Sequence, residues 1–101
     1  MSYVLGLFQE IIDECTNVQY EIQKLESQET DLKIKRQVLQ KVVSISINES
    51  DIQYFTSEIQ KITDEQNKVL QEKEKQQMLH RDLLRRINAI EMVVKQLEQK
   101  S

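Results

Sequence analysis

Two residues in this sequence have side chains suited to nucleophilic or metal chemistry, Cys15 and His80, and the chain holds one of each type. A thiolate can attack a carbonyl or bind zinc, and an imidazole beside it can activate the thiol or share the metal. Neither role closes here. A zinc site takes three or four protein ligands. A Cys–His pair needs a third group to orient the base, and donors for a developing oxyanion. No glycine-rich or loop segment supplies them. Cys15 is therefore read as a small core residue and His80 as a polar residue on a helix seam. No catalytic residue, cofactor or metal is expected, and the chain is read as non-enzymatic.

The remaining polar candidates are equally bland. His80-Arg81-Asp82-Leu83-Leu84-Arg85-Arg86 is the densest basic stretch. It could meet an acidic partner or a phosphate, but charges spaced this way on a helix more often make a solvated face. The whole chain sets 14 Lys and Arg against 17 Asp and Glu, a net charge of −3. Nucleic-acid binding draws on a basic surplus, so no nucleic acid is expected as a partner. Asn48-Glu49-Ser50 matches the glycosylation acceptor pattern, which is common by chance. The N-terminus has neither the basic region nor the long apolar run of a secretory leader. A lone cysteine closes no internal disulfide and fits a reducing compartment, so an intracellular location, cytoplasmic or nuclear, is expected. No apolar run approaches the ~20 residues that span a bilayer, so membrane insertion is not expected.

Elements that would position these residues must be helical. There is no proline, one glycine (Gly6) and 5% aromatic residues. Turn-rich folds draw on Gly and Pro, and globular cores draw on large rings. Leu, Ile and Val spaced through Glu, Lys and Gln are the make-up of long solvated helices. The spacing is that of a coiled coil. Apolar residues recur every three and four positions from Val4 through Phe8, Ile11, Cys15, Val18, Ile22, Leu25, Leu32 and Leu39 to Val43. With Phe8 as an a position, all d positions are apolar, and Glu29 and Arg36 are the polar a positions. A second tract runs from Ile52 through Phe55, Ile59, Ile62, Val69, Leu83, Ile87, Ile90 and Val94 to Leu97, with polar seam residues at Gln66, Lys73, Gln76 and His80. A 3.5-residue repeat of this kind keeps one seam facing a partner helix.

The two tracts are out of phase. Val43 and Ile52 are separated by two residues more than a heptad. In a continuous helix, at about 100° per residue, that step would turn the seam to roughly the opposite side. Ser44-Ile45-Ser46-Ile47 between them has low helix propensity, and Ser50-Asp51-Ile52-Gln53 reads as a capping box with Ser50 as N-cap. The sequence therefore divides into a first heptad helix (1–43), a turn (44–50) and a second heptad helix (51–101), in one structural unit. The fold expected is all-α, a long antiparallel two-helix hairpin that self-associates or joins partner helices. The alternative is a single long helix in a parallel coiled-coil dimer. That alternative would set Arg36 against Arg36 and Lys73 against Lys73, which costs free energy. The hairpin places Glu29 near Gln66 and Cys15 near His80. Glu29, Arg36, Gln66, Lys73 and His80 are read as register-setting.

Near both termini the apolar stripe is wider than two helices need, because Leu5, Leu7, Ile12, Leu79, Leu84 and Val93 flank the seam. A broad face of this kind suits multi-helix packing, and an exposed one marks a protein interface. The interface residues expected are Val4, Phe8, Ile11, Ile12, Cys15, Leu83, Leu84, Ile87, Ile90, Val94 and Leu97. Tyr20 and Ile34 fall at outward positions as singly exposed apolar groups. The function expected is a coiled-coil structural or scaffold subunit that mediates protein–protein assembly, for example in a cytoskeletal, centrosomal, kinetochore or tethering complex. The alternative is a regulatory adaptor that captures a helix of one client. The partners expected are protein helices, from further copies of the chain or from other coiled-coil chains.

Overall fold

A computed structural model describes the backbone of residues 2–100 and the side chains of residues 5–99. The chain is an all-α helical hairpin of two elements, α1 (Ser2–Ile45) and α2 (Glu49–Lys100). Leu, Gln, Glu and Lys are abundant in both. These straight-chain residues lose little rotamer freedom in a helix, and no proline interrupts either ladder.

Ser46, Ile47 and Asn48 connect the helices. The turn uses no left-handed residue, since no described residue has positive φ. Side chains take the place of a C-terminal glycine. The Ser44 hydroxyl donates to the Lys41 carbonyl at 2.6 Å, the Ser46 hydroxyl donates to the Val42 carbonyl at 2.7 Å, and the Ser46 amide donates to the Val43 carbonyl at 3.2 Å. These bonds satisfy carbonyls that the last turn of a helix leaves without amide partners. At the start of α2 the Ser50 amide donates to Asn48 Oδ1 at 2.8 Å, and the Ile52 amide donates to the Asn48 carbonyl at 3.0 Å. Asn48 is thus the N-cap, in place of the Ser50 read from the capping-box pattern. Asn caps as well as Ser does, and Glu49 and Asp51 then fall in the first turn of α2, where carboxylates favour the positive end of the helix dipole.

The chain comprises two compact units, and each pairs a stretch of α1 with a stretch of α2. The turn-bearing unit spans Gln23–Lys73. Leu25 and Leu32 are buried there, and Leu39, Val43, Ile52, Phe55, Ile59, Ile62 and Val69 are half-buried. The terminal unit combines Met1–Ile22 with Glu74–Ser101. Its core is Cys15, Val18 and Leu83, with Ile11, Ile22, Leu79 and Ile87 packed against them. Full burial of one such leucine contributes about 1.5–3 kcal/mol. The buried residues in both units are the ones that a 3-4 repeat directs inward.

Candidate protein interface

The seam of the turn-bearing unit is polar at two successive a layers. Lys73 Nζ donates to Glu29 Oε1 at 2.7 Å, and both side chains are partly buried. One heptad further along α1, and one heptad back along α2, Arg36 Nη1 donates to Gln66 Oε1 at 3.2 Å. The two contacts report one register. It is shifted by a heptad from the Glu29–Gln66 pairing expected from the sequence, and there is a physical reason. The expected register would set Arg36 against Ile59, where a guanidinium would be desolvated without an acceptor. In the observed register both polar a residues of α1, Glu29 and Arg36, meet a polar a residue of α2. Arg36 Nε and His80 Nε2 are buried without a hydrogen-bond partner, so both residues carry a desolvation cost on the seam.

Cys15 lies in the apolar core of the terminal unit, with hydrocarbon neighbours. The described residues contain no group of three or more His, Cys, Asp and Glu that could hold a metal ion. No helix among them is long and apolar enough to cross a membrane.

Of the interface residues named from the sequence, Cys15 and Leu83 are buried, and Phe8, Ile11, Ile12, Ile87, Ile90 and Val94 are half-buried. Leu84 and Leu97 are exposed, and the side chain of Val4 lies outside the described residues. Phe8, Ile90 and Val94 line a shallow groove of about 360 Å³ with Leu5, Glu91, Lys95 and Glu98. Leu5 in its lining keeps 65% of its surface in water, and Leu97 on α2 keeps 63%. The terminal unit therefore combines a largely apolar groove, rimmed by Glu91, Lys95 and Glu98, with uncovered leucines.

The sequence reading did not mark the hairpin tip. Ile47 is 98% exposed and Ile45 is exposed beside it. Its mark in the sequence is the Ser-Ile alternation of 44–47, whose isoleucines belong to neither heptad tract. A second apolar depression, lined by Ile34, Lys35, Val38, Leu39 and Ile62, lies on the turn-bearing unit. Ile34 and Val38 are exposed there, and Tyr20 is exposed elsewhere on α1.

Comparison with known proteins adds no family. The chain matches no family model, no curated protein and no solved structure.

Proposed function

We propose that this chain is a non-enzymatic coiled-coil subunit that joins protein helices into a larger assembly through its terminal unit. One observation carries the reading. Leu5, Leu84 and Val93 stay exposed on the terminal unit, and Leu5 lines a groove with Phe8, Ile90 and Val94, although two paired helices need no apolar residue outside the seam. Apolar surface of this kind is a marker of protein contact. A lone buried cysteine fits a reducing, intracellular setting. Scaffold subunits of cytoskeletal, centrosomal, kinetochore or tethering complexes are the class this architecture suits, by analogy of form.

Gel filtration of extract from cells making the tagged chain tests the reading. Wild type is expected to elute well above the 12.0 kDa of a single chain. Leu97→Glu and Phe8→Glu are expected to elute near it, because an unpaired carboxylate in an interface costs several kcal/mol. Leu97 is exposed, so its substitution leaves the hairpin folded, which circular dichroism of the purified variant checks. Wild type eluting as a single chain, or both variants co-eluting with an assembled wild type, contradicts the proposal.

A further inference from the structure

Charge is divided unevenly in the terminal unit. Residues 2–22 of α1 carry Glu10, Asp13, Glu14 and Glu21 with no lysine or arginine. Residues 74–100 of α2 carry six basic residues, Arg81, Arg85 and Arg86 among them, against four carboxylates. Glu14 and Arg86 do not pair with each other among the described residues. The ion pair that Arg85 makes is with Asp82 on its own helix, at 3.6 Å. Glu14 and Arg86 are exposed, and neither has an ionic partner among the described residues.

Glu14 and Arg86 share one flank of the hairpin. Each directly precedes an inward a residue, Cys15 and Ile87, so each is a g position. Leu7 and Val93 do the same before Phe8 and Val94, and they are 46% and 55% exposed. This flank therefore carries an uncovered apolar residue and an unpaired charge from each helix, acidic on α1 and basic on α2. The opposite flank differs. Its α1 positions, Leu5, Ile12 and Gln19, are uncharged, so another copy would offer no charge there to meet Glu91 of α2.

We propose that the g flank is a contact with a second copy of this chain, in a twofold arrangement where α1 of each chain lies antiparallel to α2 of the other. This rests on the assembly reading above and goes beyond it, adding a contact on the flank opposite the Leu5-lined groove and naming its partner. Leu7 then packs on Val93 across the interface, and Glu14 meets Arg86, each pair occurring twice by symmetry. The charges select this arrangement. Setting α1 against α1 would bring together two stretches that carry only carboxylates, and setting α2 against α2 would bring arginines together, and like charges in an interface are costly. The product is a four-helix bundle at this end.

Sedimentation equilibrium of the full purified chain at micromolar concentration tests the pairing. Wild type is expected to be a dimer. Glu14→Arg and Arg86→Glu are each expected to weaken dimerisation about tenfold, since the contact occurs twice and reversal turns attraction into repulsion. Mixing the two variants is expected to restore the dimer, because both interchain contacts in a mixed dimer are again between unlike charges. If a single variant loses helicity, the double variant Glu14→Arg/Arg86→Glu keeps unlike charges within its own chain. Mixed with wild type, it is expected to sort into separate homodimers. A monomeric wild type, a mixture no more dimeric than its components, or free mixing of the double variant with wild type overturns the proposal. The size of the assembly in cell extract is read independently, so a failed pairing is distinguishable from a failed assembly reading.

Discussion

Glu29 and Lys73 illustrate how a residue can cost stability and still set structure. A part-buried ion pair recovers by Coulomb attraction much of what its desolvation costs, and well-packed hydrocarbon at the same place is often as stable or more so. Lys73→Leu is therefore expected to destabilise the hairpin by about 1–3 kcal/mol, because it strands the Glu29 carboxylate on the seam. The double variant Glu29→Leu/Lys73→Leu is expected to be at least as stable as wild type, at the expense of register. Urea unfolding of the three proteins measures this, and additive losses in the double variant would contradict the pairing. The sequence made it legible that these positions face inward, because the 3-4 spacing runs through Glu29 and Lys73 without slipping. It did not make their partners legible. A heptad pattern is unchanged when one helix slides by seven residues, so the choice between Gln66 and Lys73 for Glu29 rests on what the slide does to Arg36.

At the scale of the helices, the deciding feature is a turn without glycine or proline. Its existence was legible in the phase step between Val43 and Ile52, which no straight helix accommodates on one face. Its chemistry was not, because Asn48, Ser44, Ser46 and Ser50 all cap helices, and sequence alone does not choose among them. The hydrogen bond from the Ser50 amide to Asn48 Oδ1 makes the choice. Asn48→Ala is expected to cost about 1 kcal/mol, the usual worth of an N-cap, whereas Ser50→Ala inside the helix is expected to be nearly neutral. Thermal unfolding of the two variants compares them directly. A larger loss for Ser50→Ala would return the cap to Ser50.

For the molecule as a whole, the surplus of apolar surface matters more than any one residue. Its place near the termini was legible because Leu5, Leu7, Leu84 and Val93 fall one position beside the seam, where two helices alone would carry polar groups. The tip was not legible, because Ile45 and Ile47 belong to no repeat, and only a fixed turn geometry leaves them in water. The tip and the terminal unit are thus competing places for contact. The assembly reading favours the second, because a pre-formed groove accompanies its exposed leucines. A photo-crosslinking amino acid placed in turn at Leu97, Ile47 and Asp64, in cells that make the chain, discriminates between them most directly. An interchain adduct from position 97, with little from 47 and none from the solvated position 64, is the result expected. Adducts from position 47 and none from 97 would contradict the account and move the interface to the hairpin tip.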